Sequence, residues 1–296
     1  MDFLTELKAR ADLVDRALDE LLPSEDTYPP LIHQAMRYSL FAGGKRLRPV
    51  LALAAAETVG GDPVRVLPAA CALELIHTYS LIHDDLPAMD NDDFRRGKPT
   101  CHRVYGEAVA ILAGDALLTH AFALLAKNAH NRLVPAERVV RVIEEVAEAA
   151  GTLGLIGGQV VDTLSADCTV DTATLEYIHR HKTGALYRVA VRAGAILAGA
   201  RETELEALTV YAENLGLAFQ IQDDILDVEG DPTRLGKPVG SDERNKKATY
   251  PALFGLDLAR ARAREVVEVA LNALELFDER ADFLRELVRF VIVRDF

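Results

Sequence analysis

Tryptophan is absent from this 296-residue sequence, cysteine and methionine occur three times each, and aromatic residues make up only 6% of the chain. Cys71, Cys101 and Cys168 are odd in number and match no metal-ligand spacing, so reduced thiols are expected rather than a disulfide framework or zinc ribbon. Long apolar runs are missing as well. The longest, such as Val50 to Ala56, fall far short of the roughly 20 residues a bilayer-spanning helix needs, so no membrane insertion is expected. Basic charge is scarce: 33 Lys and Arg stand against 46 Asp and Glu, for a formal net charge of −13. That balance argues against a nucleic-acid binder, which needs a basic face. The N-terminal MDFLTELKARADLVDRALDELL lacks a basic region followed by an apolar run, so it does not read as a secretory signal and a soluble, cytoplasmic protein is expected. Sustained strand alternation with hairpin turn signals is also lacking.

What is present is a helix-forming composition, 50% hydrophobic and rich in alanine, leucine, arginine and glutamate. Leu4, Leu7, Leu13 and Leu18 mark a first amphipathic helix, ended by LPSEDTYPP. Helical spacing recurs near 31–42, 49–60, 64–84, 105–128, 136–160, 172–199, 203–228, 256–277 and 279–293. The expectation is an all-α, single-domain helical bundle over residues 1–296, with no linker to divide it. Two long connections, Leu86 to Val104 and Glu229 to Tyr250, are rich in charge, and each follows an acidic cluster. Long irregular connections in a compact domain favour a functional role.

The first cluster is Asp84-Asp85 with Asp90, continuing to Asp92 and Asp93; the second is Asp223-Asp224 with Asp227. Carboxylates this close repel one another unless a cation joins them or water surrounds them. On one helix, Gln220, Asp223, Asp224 and Asp227 fall within about 100° of each other. The surrounding LGLAFQIQDDILDV is apolar, so that stripe faces the interior or a cavity, and metal binding is the better reading. Asp84 and Asp90 would lie about 240° apart on a continuous helix, so the chain must bend after Asp85, where Pro87 breaks the ladder. His77 stands seven residues before Asp84 on the same face, within reach of a ligand beside the metal. All-oxygen donors suit Mg²⁺, with Mn²⁺ possible, and magnesium commonly bridges carboxylates to phosphates.

Basic residues accompany both clusters. GGKRLRP, Gly43 to Pro49, pairs Gly43 and Gly44, which permit close backbone approach, with donors on Lys45, Arg46 and Arg48. It is not a P-loop, since the spacing and the preceding strand are missing. Arg95 and Arg96 follow the first cluster; Lys237, Lys246 and Lys247 follow the second; Lys182 and Thr183 lie in HRHKTGALYR. GTLGLIGGQVVD follows a helix rather than a strand, so its glycines read as close helix packing.

With these motifs in order, GGKRLRP, HTYSLIHDDLPAMDNDDFRRGKPTCH, GGQVVD, HKTGAL, FQIQDDILD and GKPVGSDERNKKATY, the chain closely resembles bacterial farnesyl diphosphate synthases of the trans-isoprenyl diphosphate synthase family over about residues 30 to 296. The resemblance implies a homodimer whose helices surround a deep central cavity. It assigns Asp84, Asp85, Asp90, Asp223, Asp224 and Asp227 to about three Mg²⁺ ions. It gives Gly44, Lys45, Arg48, His77 and Arg96 to isopentenyl diphosphate, and Arg95, Lys182, Thr183, Gln220, Lys237 and Lys247 to the allylic diphosphate. Arg95, Lys182 and Lys237 would stabilise the departing diphosphate, and Thr183, Gln220 and the Lys182 carbonyl the allylic cation. Tyr79 and Ser80, just over one turn before Asp84, are the expected floor that sets product length, farnesyl (C15) with geranylgeranyl (C20) as the alternative. A terpene cyclase needs no second diphosphate site, and a non-catalytic synthase subunit should have lost acidic residues; both are weaker readings.

Overall fold

The alanine- and leucine-rich segments form helices throughout a computed structural model that describes residues 2–130, 134–165, 170–229 and 249–293. Helix α1 (Phe3–Leu21) starts at Asp2, whose carboxylate accepts a bond from the Thr5 amide at 3.1 Å, and buries Leu7, Val14 and Leu18. Helix α2 (Pro30–Leu40) has proline in its first turn, where a missing N–H costs nothing. Helix α3 (Leu47–Thr58) buries every side chain from Pro49 to Ala56, so the longest apolar run becomes a central core helix. A 3₁₀ turn (Pro63–Val66) leads into α4 (Leu67–Asp84).

A short α5 (Cys101–Tyr105) precedes α6 (Glu107–Lys127), α7 (Ala136–Ala150), α8 (Leu155–Ser165) and α9 (Thr172–Ile178). A π-helical segment, His179–Gly184, joins α9 to α10 (Ala185–Ala198). Then come α11 (Glu202–Glu229), α12 (Tyr250–Phe254), α13 (Leu256–Ala273) and α14 (Asp282–Val293). The main packing pairs are α4 with α6, α3 with α10, and α11 with α13. The ends of α4 and α11, which carry the acidic clusters, therefore rise from well-packed helices.

Three sequence expectations need correction. The expected helix over 136–160 is two, parted at Gly151–Gly154, where the Gly151 amide turns back to the Glu148 carbonyl at 3.1 Å. A small antiparallel hairpin exists: β1 (Phe94–Arg95) pairs with β2 (Lys98–Pro99). Two-residue strands are too short to show alternation, and the turn pair Arg96-Gly97 departs from the usual Asn-Gly although both residues have positive φ, 53° and 74°. Finally, two helices, Pro63–Asp84 and Glu107–His130, are long and apolar enough to cross a bilayer by length and composition. Runs of consecutive apolar residues miss them because scattered polar residues interrupt a high mean hydropathy. The first is 72% buried inside the protein, as a core helix is, and the second 39%.

Candidate active site

Helix α4 ends at Asp84, and Pro87 cannot continue its ladder. The chain instead closes a tight loop: the Asp90 amide donates to the Asp84 carbonyl at 2.8 Å, and the Met89 and Asn91 amides to the Leu86 carbonyl at 2.9 and 3.1 Å. Asp90 thus returns to the level of Asp84. Asp85 turns elsewhere. Its buried carboxylate takes Arg95 Nε at 2.9 Å and Nη2 at 2.6 Å, and burial pushes its pKa up while Arg95 opposes the shift.

Arg95 and Arg96 sit on the β1–β2 hairpin, which is tied down on both sides. Thr100 Oγ1 donates to the Asp92 carbonyl at 2.8 Å, and Tyr38 Oη donates to the Pro99 carbonyl at 2.8 Å. From there the Arg96 guanidinium donates to the Gly43 carbonyl. Gly44 has φ +129°, a conformation that favours glycine, and a Cβ there would lie 2.6 Å from Arg96 Nη1 and displace the guanidinium. The Gly43–Pro49 loop and the Arg95-Arg96 hairpin, 53 residues apart, meet at this point.

Arg46, read from sequence as a ligand donor, is buried and committed inward to Asp15, Glu74 and the Leu40 carbonyl at 2.8, 2.8 and 2.7 Å. Arg48 lies over the Tyr187 ring, 4.8 Å from its centroid, and its Nε is buried with no partner. Lys45 is half-buried beside them. His77 holds a pKa well below the ordinary imidazole value, first through burial and then through Arg48, Arg96 and Arg95. A neutral imidazole within electrostatic reach of Arg48, Arg96 and Arg95 marks a region rich in donors and suited to a polyanion.

The opposite wall is the π segment. Gly158 of α8 lets that helix touch it, for a Cβ would stand 2.2 Å from the Lys182 amide nitrogen. One turn further along α8, Asp162 takes Lys182 Nζ at 2.6 Å. Thr183 Oγ1 donates to Gln220 Oε1 at 3.0 Å, and Gln220 Nε2 donates to Asp224 Oδ1 at 3.0 Å. Asp224 Oδ2 accepts the Tyr250 amide at 3.0 Å and lies 3.7 Å from His179 Nε2. His179 stacks on Tyr250, and burial pushes its pKa down to about 4.

Helix α11 is unbroken through the second cluster, but its carboxylates differ: Asp224 and Asp227 are buried, whereas Asp223 is half-buried. Tyr79 is buried below the first cluster, its hydroxyl without a partner, and burial followed by Asp84 pushes its pKa up to about 12. Ser80 Oγ donates to the His77 carbonyl at 2.8 Å. Lys237, Lys246 and Lys247 lie outside the described residues.

Sequence reasoning gave Asp162 and His179 no role. The signal for the first was the Gly158-x-x-x-Asp162 spacing, which puts the glycine contact and the carboxylate on one helical face; His179 carries no signal apart from its fold context. Among the described residues no three His, Cys, Asp or Glu side chains form a ready-made metal cage. The donors are nonetheless all oxygen, and Asp84 and Asp90 are brought together by the main chain, which fits Mg²⁺, an ion that keeps water and phosphate in its coordination sphere.

The chain matches the polyprenyl synthetase family over residues 29–287. It is 51% identical to a farnesyl diphosphate synthase of Geobacillus stearothermophilus over 267 residues, 90% of each chain. Over 296 residues it is 49% identical to a geranylgeranyl diphosphate synthase of Cyanophora paradoxa, covering 99% of this chain and 97% of that one. An FPP/GFPP synthase from Zymomonas mobilis superposes with a TM-score of 0.86 at 37% identity, over 98% of both chains. A helical fold with paired acidic clusters and a separate arginine-rich region is thus that of a trans-prenyltransferase. The protein belongs to the polyprenyl synthetase family.

Proposed function

We propose that this enzyme condenses isopentenyl diphosphate with the allylic diphosphates dimethylallyl and geranyl diphosphate, with Mg²⁺, to give farnesyl diphosphate. The carrying observation is the meeting of the Gly43–Pro49 loop with the Arg95-Arg96 hairpin through the bond from Arg96 to Gly43, with Arg48, Arg96 and Arg95 within electrostatic reach of His77. It supplies a diphosphate site apart from the acidic clusters, which a cyclase acting on one diphosphate does not need. Asp84, Asp90 and Asp223 would hold Mg²⁺, and when bound the metal offsets charge on the departing diphosphate. Asp85 aims Arg95, and Asp162 aims Lys182, as donors to the same leaving group.

The allylic C–O bond breaks with its electron pair leaving on the diphosphate. The isopentenyl double bond then forms the new C–C bond, and the resulting cation loses a proton to the released pyrophosphate. Thr183 Oγ1 and Gln220 Oε1, bonded to each other, would offer their remaining lone pairs to the transient cation. A C20 product is the second reading, favoured by geranylgeranyl synthases among relatives as similar as the farnesyl ones. Purified protein supplied with Mg²⁺, isopentenyl diphosphate and each allylic primer should yield a C15 product by chromatography; no elongation from any primer would refute the reading.

We also propose a homodimer. Ala108, Ile111 and Leu112 form one exposed apolar patch on α6 and Ala123 and Ala126 another on the same face, parted by exposed Asp115 and Thr119, while Leu153, Ile156, Val160 and Leu164 form an exposed apolar row on and just before α8. Exposed apolar patches of this kind favour association, and a second copy presents the same patches in return.

A further inference from the structure

Arg46 is the one fully buried side chain in the Gly43–Arg46 stretch, and its surroundings are too ordered for a spare cation. Gly43 and Gly44 are exposed, with φ of +101° and +129°, and Arg46 itself is left-handed at φ +52°. A non-glycine residue held there costs energy that the surrounding contacts must offset. The guanidinium spends its three nitrogens on three different elements: Nε on Asp15 of α1, Nη1 on Glu74 of α4, and Nη2 on the carbonyl of Leu40, at the end of α2. The Arg46 and Glu74 side chains are 2% and 3% exposed, so this ion pair is shielded from solvent. Two residues after Arg46 comes Arg48, and one turn after Glu74 comes His77. The pair thereby links the loop bearing Lys45 and Arg48 to the helix bearing His77.

We propose that Arg46 and Glu74 are positioning residues for the isopentenyl diphosphate pocket. The buried pair fixes the strained loop so that Lys45, Arg48, His77 and the Gly43 carbonyl that receives Arg96 stand at one height. Asp15, with its side chain 45% exposed, contributes less to the same clamp. The inference rests on the condensation reading above, and its test separates the two.

Glu74→Gln keeps the shape and one acceptor but removes the charge. It should raise KM for isopentenyl diphosphate about tenfold while KM for the allylic diphosphate stays within about twofold. Asp15→Asn should move the isopentenyl KM in the same direction by a smaller factor. If Arg46 instead gripped diphosphate directly, freeing it by either substitution would leave that KM unchanged or lower it, and the proposal would fall. A drop in kcat with both KM values unchanged, reporting only a smaller folded fraction, would overturn it equally. Should Glu74→Gln not fold, Asp15→Asn decides by the same sign.

A readout free of catalysis is amide hydrogen exchange: the Val50 amide, which donates to the Arg46 carbonyl at 3.0 Å, should lose protection in Glu74→Gln while those of α11 do not. If the wild-type protein elongates no primer, the functional reading fails, yet the exchange experiment still supports or refutes the clamp.

Discussion

Six aspartates share two short motifs, yet their surroundings sort them into different duties. Asp84 and Asp90 are joined through the main chain, Asp85 is given to Arg95, and Asp224 accepts Gln220 on one oxygen and Tyr250 on the other. A carboxylate engaged by protein donors on both oxygens is a poor candidate for direct coordination. Asp223→Asn should therefore raise the Mg²⁺ concentration for half-maximal rate at least about tenfold, as loss of a ligand does. Asp224→Asn should lower kcat with that concentration nearly unchanged; a matching Mg²⁺ shift in both variants would refute the division. Tyr79 permits a similar separation. Its buried hydroxyl has no partner, so Tyr79→Phe should keep product length and raise stability by about 1 kcal/mol, the order of the penalty for an unpaired buried group. Tyr79→Ala should lengthen the product, and an unchanged C15 chain would show the floor lies elsewhere. The clusters were legible in the sequence because carboxylates on an apolar helix are conspicuous. The inward commitment of Arg46 was not, because its partners lie 31 and 28 residues away in the chain.

Helices were readable because apolar spacing survives in α1, α7 and α14, where one face is wet. The irregular pieces were not. The π segment keeps a helical rise, so its residues blend into the pattern over 172–199, and the hairpin hides behind an arginine where asparagine is usual. Helix α8 and the π segment act as one unit through Gly158. Gly158→Ala would push a methyl group against the Lys182 backbone, an overpacking of roughly 1–3 kcal/mol. Its melting temperature should fall, and kcat with it, since Asp162 would move off Lys182. Asp162→Asn should reduce kcat with little change in melting temperature; a variant pair behaving the other way round would argue against a shared positioning role.

For the whole molecule, composition and periodicity foretold an all-helical chain; of the two charged connections, the first carries the Asp90 turn and the Arg95-Arg96 hairpin, and most of the second lies outside the described residues. The proposed association surface was less visible, since α6 is apolar around most of its circumference and reads as another core helix. Its outer patch remains uncovered in a single chain, with Ile111 44% and Leu112 57% exposed. Leu112→Glu should convert a dimer to a monomer by light scattering, whereas a wild-type protein that already runs as a monomer would dispose of the surface.

The π segment also sets the phase of α10 against α9. A π turn holds about one residue more than an α turn, so each face of the helix after it is rotated by roughly 100° relative to the face before. Geometrically, His179–Gly184 is equivalent to an α-helix carrying a one-residue insertion, and the flanking α9 and α10 both keep buried core residues. Such an insertion would reorient lysine and threonine side chains in a single mutational event, and a one-residue deletion there would undo it while sparing the scaffold.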